Sequence, residues 1–403
     1  MNRVFKIARR FQIRHRLVLT AVCILVVGSI VRPAFSQEDA RRVMLGGSVS
    51  HDSNLFRVPG LLGNPQSETI TTGYVGLRID KPYAQQRFFL DATATAYRYH
   101  KFSYLDFNGL DYRAAWYWHL TPRVTGTLSA DRTQATTQFQ DTLGRQSNVT
   151  TNENYIFSMD GWLFGGWHVL LGASQSKYTS EQAALQTQPP YREIRSEFGV
   201  RYLFQSGSEI AAIRRRSEGA QGTQLINNVI VVSTENYHED QSELRGTWNL
   251  TPKSVLDGRL TYLDRRYEHN PQRDFYGTAG HFVYTWLPTG KLSLRLAATR
   301  SIVPWQGSAS SNRRVSNALS IAPSWQATAK TGVYMSLQRT YDDYPSTGTE
   351  RKDTTRLAVL GLNWLPLRNL SIGASVQRPQ RSSNDPLVEY DATVARLSAS
   401  LMF

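Results

Sequence analysis

The residues that could do chemistry are easiest to judge from the histidines. Apart from His15 near the start, they are His51, His100, His119, His168, His238, His269 and His281. A protein-built metal site needs ligands at short, regular spacings, and these stand singly along the chain. Hydrolysis needs a nucleophile and a base within hydrogen-bond reach. His119 and His168 lie beside short turns, and a Ser/His pair assembled across neighbouring strands would leave no linear signature. A rim enzyme acting on lipid or polymer is therefore kept as one class. Gly47-Ser-Val-Ser-His-Asp-Ser-Asn54 lacks the spacing of a phosphate-cradling glycine loop and reads as strand and loop. No cofactor is expected.

What remains is a set of charged and aromatic residues that recur with a period of two. They are Arg78, Asp91, Tyr97 and Tyr99, then Asp111, Arg113 and Tyr117. Asp131, Asp160 and Arg201 follow, then Arg245, Asp257, Arg259 and His281, and finally Arg295 and Arg396. With the serines and threonines between them they can hydrogen-bond and stack against a hydrated, polyhydroxylated solute. They can equally pair with one another across an interior.

The period identifies the elements that hold them. In 110–120, Leu110, Tyr112, Ala114, Trp116, Trp118 and Leu120 alternate with Asp111, Arg113, Ala115, Tyr117 and His119. The segments 292–299 and 370–377 alternate in the same way, as do 198–204 and 244–250. The phase of 208–216 and of 355–364 is ambiguous. The last stretch, Tyr390 to Phe403, puts Leu397, Leu401 and Phe403 on one parity and Arg396, Ser398 and Ser400 on the other. These are β-strands whose two faces meet different solvents. A strand that ends on a C-terminal Phe is the form read by outer-membrane barrel-assembly machinery.

The start of the chain agrees. Arg3, Lys6, Arg9, Arg10, Arg14 and Arg16 precede an apolar run, Leu17 to Val31, and Ala34-Phe35-Ser36 supplies small residues for cleavage. Residues 1–36 thus read as a secretory signal peptide. They hold seven basic residues and no acidic one, which takes the formal +14 of the whole chain to about +7. No basic run survives beyond them, so nucleic acid is not an expected partner. The sole cysteine, Cys23, leaves with the leader, and with it any disulfide or thiolate site. The rest, 37–403, is rich in aromatics, with 20 Tyr and 9 Trp in the whole chain, and has no apolar run of helix-spanning length. An exported chain of this kind fits a transmembrane β-barrel. Only about five residues separate the cleavage point from the first strand, so neither a plug nor a periplasmic repeat domain is expected before it.

Turn signals fall at Lys81-Pro82, Thr121-Pro122, Gly165-Gly166, Ser206-Gly207-Ser208, Thr251-Pro252, Pro288-Thr289-Gly290, Thr328-Ala329-Lys330 and Pro366-Leu367. Longer polar connections lie at about 54–67, 102–107, 139–149, 181–190, 220–236, 267–273, 306–312, 342–352 and 380–388. Together they join about 18 antiparallel strands in an up-and-down barrel, with short turns at the periplasmic end. The last strand must then pair with the first, near Arg41 to Ser53. A tryptophan precedes most short turns, and eight of the nine, all but Trp305, are placed in an interfacial girdle. A soluble propeller could repeat at this interval but needs four short strands where two long ones occur. At the opposite strand ends Arg132, Arg300, Arg339 and Arg378 fall on the lipid-facing parity, and Arg265 does not. Those four could reach lipopolysaccharide phosphates, or simply mark where a strand leaves the membrane.

Several phrases resemble the EpsL family of outer-membrane barrels associated with exosortase-linked polysaccharide clusters. They include His51-Asp-Ser-Asn-Leu-Phe-Arg57, Asp80-Lys-Pro-Tyr-Ala-Gln-Gln-Arg-Phe88 and Leu120-Thr-Pro-Arg-Val-Thr-Gly-Thr-Leu-Ser-Ala-Asp-Arg132. Tyr112-Arg-Ala-Ala-Trp116, Thr151-Asn-Glu-Asn154, Asp257-Gly-Arg-Leu-Thr-Tyr-Leu-Asp-Arg265, Gln272-Arg-Asp-Phe-Tyr-Gly277 and Tyr390-Asp-Ala-Thr393 extend it along the chain. The resemblance implies a Gram-negative outer-membrane location and a part in extracellular polysaccharide biosynthesis, with export through the barrel and periplasmic components of the secretion system as partners. It carries no catalytic residues. Three classes follow: an export pore, a closed docking barrel, and a rim enzyme.

Overall fold

A computed structural model describes residues 40–136, 139, 145–182, 189–222, 224–226, 229–231, 235–305, 313–345 and 350–403. The segment 1–36 read as a signal peptide, with Cys23, lies outside the described residues. So do parts of the connections expected at 139–149, 181–190, 220–236 and 342–352, and all of 306–312.

The first half of the chain forms β1 (Ala40–Asp52), β2 (Glu68–Tyr83), β3 (Gln86–Tyr99), β4 (Phe107–Thr121), β5 (Val124–Thr136), β6 (Val149–Phe164), β7 (Trp167–Ser180), β8 (Tyr191–Leu203) and β9 (Glu209–Gln221). A small two-stranded ladder, β10 (Gln224–Ile226) and β11 (Val229–Val231), stands apart from the main sheet. The second half forms β12 (Glu235–Thr251), β13 (Ser254–Tyr267), β14 (Phe275–Trp286), β15 (Leu292–Pro304), β16 (Arg313–Gln326), β17 (Thr331–Tyr344), β18 (Arg351–Trp364) and β19 (Leu370–Ser383). The chain ends with the two-residue β20 (Tyr390–Asp391) and with β21 (Val394–Met402). Leaving out β10, β11 and β20, the remaining 18 strands pair antiparallel with their chain neighbours.

Closure comes from β21 against β1, in register from Met44↔Met402 to Asp52↔Val394. Closing removes the unpaired edge that no strand can leave in hydrocarbon. The final stretch is not one strand: it breaks at Ala392–Thr393, where Ser53 N donates to Thr393 O at 3.0 Å and Thr393 N donates to Ser53 Oγ at 2.8 Å.

The outer face carries Val43, Leu45 and Val49 on β1, Phe88 on β3, Leu110 and Trp116 on β4, and Leu397 and Leu401 on β21, all exposed. Exposed apolar residues continue on most of the intervening strands, as a lipid-facing band requires. The phases of β9 and β18 are now fixed: Ile213 and Val359 are buried on the inner face, whereas Ile210 and Leu360 are exposed outside. The alternation misled there because the inner face of β9 is itself partly apolar, with Leu170, Ala211 and Ile213 packed together.

The first short turn sits at Ala84–Gln85, beyond the expected Lys81–Pro82. Pro82 pairs with Arg87 inside the ladder, and Ala84 takes the left-handed conformation with φ 51°. Among the described residues β1 begins opposite Asp80, so the missing N–H of Pro82 faces no partner strand there.

Seven tryptophans, Trp116, Trp118, Trp167, Trp248, Trp286, Trp325 and Trp364, lie on the outward parity near the short-turn end. Trp162 does not. It shares the inward phase of Asp160, its indole N–H donates to Gly165 O at 2.9 Å, and Arg123 stacks over its ring at 4.7 Å. The register shift between Trp162 and Phe164 brings Leu163 and Phe164 outside in its place.

At the opposite rim two connections are built alike. Tyr99-(six residues)-Asp106-Phe107-Asn-Gly109 and Tyr267-(six residues)-Asp274-Phe275-Tyr-Gly277 share spacing, and each contains a short 3-10 turn, Ser103–Leu105 and Pro271–Arg273. Asp106 Oδ1 accepts from Tyr99 N and Asp274 Oδ1 from Tyr267 N, both at 2.7 Å. The first residue of the preceding hairpin closes each loop. Glu68 accepts from the N–H groups of Lys101 and Phe102, and Glu235 accepts from that of His269 and from the Asn270 side chain. Part-buried backbone donors that the strand ladders leave free are satisfied by these carboxylates.

Candidate functional site

The inner wall is assembled by strand register. Arg78, Asp91, Arg113 and Asp131 are successive cross-strand partners on β2, β3, β4 and β5. They make a rung of alternating sign across four strands, which linear sequence could not show. Arg78 is ion-paired with Asp91, and Asn154 Nδ2 donates to Asp131 Oδ2 at 2.9 Å.

Toward the short-turn end, Asp160 binds two partners: His168 Nδ1 at 2.6 Å and Arg201 Nη2 at 2.6 Å. Arg201 also lies 3.5 Å from Glu209. Farther up the same wall Arg215 is held by Glu243 and by Glu197, the latter at 2.6 Å. Arg259 and Arg245 stand at 3.7 and 3.9 Å from Glu243. Arg265, which the alternation had excluded from the rim, is an inner-wall residue. Its Nε donates to Glu239 at 2.6 Å while its guanidinium covers the Tyr237 ring at 4.1 Å. The Tyr237 hydroxyl donates to Glu193 at 2.9 Å, and Glu193 pairs with Arg195 at 2.7 Å. Buried charge is costly unless paired, and here every strong cluster contains both signs. Glu193, Arg195, Glu197, Arg215, Glu239 and Glu243 were not singled out from sequence. Their parity was readable; their density on β8, β9 and β12 becomes meaningful only once those strands are neighbours.

The other sequence candidates are more dispersed. Asp257 Oδ1 accepts from Thr247 at 2.8 Å, His281 Nδ1 lies 2.9 Å from Thr299 Oγ1, and Arg396 donates to Ser48 at 3.0 Å. Asp111 accepts from Gln134 N at 2.7 Å, and Arg295 is the cross-strand partner of Thr285. Tyr117 lies under Arg87 at 5.5 Å, and Tyr97 stacks on Phe107 at 4.3 Å. Tyr99 is buried with Leu55, Phe56, Val58 and Leu105, against inward-facing Ile70 and Tyr97. The start of the first long connection, expected to be polar, thus folds onto the inner wall at that rim, because Leu55-Phe56-Arg57-Val58 is mostly apolar.

The remaining wall, β15, β16, β18, β19, β21 and β1, presents mostly small inward residues: Ser293 and Ala297, Ala318 and Ser320, Gly361, Ser375, Ser398 and Ser48. Three inward tyrosines lie along the wall. Tyr74, Tyr237 and Tyr334 each cover a glycine directly opposite, Gly46, Gly219 and Gly361. A Cβ added to those glycines would come within 2.4, 2.4 and 2.2 Å of the rings. Glycine here lets an aromatic ring settle over the neighbouring strand.

The outer-rim candidates occupy varied settings. Arg132 sits 3.8 Å from Glu153, which Lys177 also approaches at 3.7 Å. Arg300 donates to Asn317 at 2.7 Å, Arg378 pairs with Asp391 at 3.0 Å, and Arg339 lies over Tyr341 at 4.6 Å. No group of three or more His, Cys, Asp or Glu side chains able to hold a metal occurs among the described residues.

No family model and no curated relative matches the sequence. The fold matches solved outer-membrane channels. OpdK of Pseudomonas aeruginosa, solved with vanillate, is 11% identical, with 90% of this chain and 99% of that one covered and a TM-score of 0.50. OccK2 of the same organism, in complex with glucuronate, is 11% identical over 92% and 100% of the two chains, at 0.50. A BenF-like porin from Pseudomonas fluorescens Pf-5 is 11% identical over 92% and 100%, at 0.51. With the apolar outer band and the tryptophan ring, this makes the protein a porin-like barrel of the Gram-negative outer membrane.

Proposed function

We propose that this outer-membrane barrel is the exit channel of an extracellular-polysaccharide system, as the EpsL-like phrases imply, with periplasmic components driving the polymer. The observation that carries the reading is the neutralised inner wall. The strong charges on β6 to β13 are bound to each other, Arg78 is paired with Asp91 and Arg351 and Arg381 with Asp353, and between these pairs the wall offers hydroxyls, small residues and tyrosine faces. Such a surface meets a hydrated polyhydroxylated chain by exchangeable hydrogen bonds and ring contact, without the tight ion pairs that would halt it. A barrel of this strand number is wide enough for an aqueous lumen. The reading is supported by the OccK2 neighbour, a barrel of similar fold solved in complex with glucuronate, a sugar derivative. Catalysis has no part in this reading.

The test is planar-bilayer conductance of the purified barrel with and without the native polymer, together with secretion in a deletion strain. Conductance blocked by the polymer, and polymer retained in the deleted cells, is the expected result. Normal secretion without the barrel would overturn it. A second reading, a closed docking barrel, is favoured by the apolar loop at Leu55–Val58 seated on Ile70, Tyr97 and Tyr99. It requires a wild-type barrel that does not conduct and a secretion complex that dissociates when the barrel is removed.

A further inference from the structure

The outer surface of β15 to β19 carries an arrangement that lumen transport does not use. Arg339 on β17 and Arg356 on β18 are direct cross-strand partners, both exposed on the lipid-facing side. Residues so placed have Cβ atoms about 4.5–5.5 Å apart, and like charges there destabilise the sheet. Neither guanidinium has a carboxylate partner among the described residues.

Two recesses meet at Arg356. On the membrane side lies an apolar groove of about 810 Å³, bounded by Leu319, Ile321, Leu337, Ala358 and both arginines. On the rim side lies a polar recess of about 400 Å³, lined by Arg356, Gln380, Ser382, Glu389 and Asp391. Arg356 and Gln380 border both. Asp391 does not oppose an anion there, because Arg378 and Gln380 hold its carboxylate at 3.0 and 2.9 Å. Glu389 accepts from Ser383 N at 3.0 Å.

An apolar trough, a polar pocket and two cations at their junction complement an amphiphile whose phosphate lies between its sugar headgroup and its acyl chains. We infer that this face binds the phosphorylated, acylated glycolipid of the outer leaflet, the lipid A part of lipopolysaccharide. One phosphate bridges Arg339 and Arg356, an acyl chain lies along Leu337 and Ala358, and the sugar enters the recess beside Gln380 and Ser382. The bridging anion removes the repulsion that the arginine pair would otherwise impose, and guanidinium forks suit phosphate oxygens. Arg356 was not among the rim arginines read from sequence, because the phase of its strand was ambiguous.

The test is native mass spectrometry of the full detergent-folded barrel, titrated with diphosphoryl lipid A, with phosphatidylglycerol, and with lipid A in the presence of excess inorganic phosphate. Lipid A is expected to stay bound, and the double variant Arg339→Gln/Arg356→Gln to lose about tenfold or more in affinity, the scale of a lost charge-assisted hydrogen bond. Arg356→Lys, which keeps the charge, should show a smaller loss and guards against a folding defect in the double variant. Arg98→Gln, on a distant outward position bonded to Asn108, should bind as wild type does. Lipid A held equally well by the double variant would overturn the site. Equal uptake of phosphatidylglycerol, or full competition by inorganic phosphate, would overturn its assignment to lipid A.

Discussion

Arg215 and Glu243 meet on the inner wall in a two-pronged ion pair, Nη1 to Oε2 at 2.7 Å and Nη2 to Oε1 at 2.9 Å. Only 1% of the Glu243 side chain is exposed, and Arg245 and Arg259 stand close behind it. One buried carboxylate thus faces three guanidiniums, with Glu197 a second carboxylate on Arg215 at 2.6 Å. Replacing Glu243 by Gln should destabilise the folded barrel by about 3–5 kcal/mol, because Glu197 alone then faces the buried arginine cluster. Changing Arg215 to Met and Glu243 to Leu together should cost less than Glu243→Gln alone. Urea unfolding of barrels folded into lipid vesicles measures both; a double variant weaker than the single one would contradict the pairing argument.

The tyrosine-over-glycine contacts give a second expectation. A methyl at Gly361 would meet the Tyr334 ring at 2.2 Å, so Gly361→Ala must push the ring off the wall. Overpacking of this kind costs about 1–3 kcal/mol. The displaced ring should also lower single-channel conductance, and Gly361→Ala with Tyr334→Ser should restore it. Unchanged conductance in Gly361→Ala would mean that the ring does not border the conducting path.

The matched rim loops predict matched defects. Asp106→Ala and Asp274→Ala each leave a backbone N–H without its acceptor, at Tyr99 and Tyr267. A buried donor left unpaired costs about 1–3 kcal/mol. Cleavage of 100–106 or 268–274 by protease added to whole cells should quicken in the corresponding variant only. Cleavage from the outside would also establish which end of the barrel the longer loops occupy.

The Arg378–Asp391 tie carries a pH signature. The hydrogen bond from Arg378 holds the Asp391 carboxyl below its ordinary value of 3.8. A carboxylate with a depressed pKa stabilises the fold fully above that ordinary value and loses the effect as pH falls through the folded one. Its contribution should therefore be constant at neutral pH and fade only in strong acid. Asp391→Asn should remove only this carboxylate's small share of the acid dependence of melting between about pH 5 and 2, the pair being exposed. A difference between variant and wild type that first appears near neutral pH would point to another group.

The linear pattern was sufficient for the barrel itself. Period-two alternation places each residue on one of two faces, and turn chemistry marks where direction reverses. Strand number, the closure of β21 on β1 and the inward parity of residues such as Arg78 and Arg396 follow from those local rules. Local rules failed where tertiary context overrode them. Pro82 was absorbed into a ladder, the bulge after Trp162 put Leu163 and Phe164 outside at that turn in place of its indole, and an apolar inner patch blurred the phase of β9.

Partnership was not legible at all. That Asp91 lies between Arg78 and Arg113, that Glu243 gathers three arginines, and that Arg339 faces Arg356 outside depend on register. Register is a property of two strands at once, set by turn length and by the stagger that closes the sheet. The sequence by itself determined, on most strands, which residues face lipid and which face the lumen, because the pleat is local. Only the closed barrel decided which of them touch, because contact between strands distant in the chain is fixed by the geometry of closure.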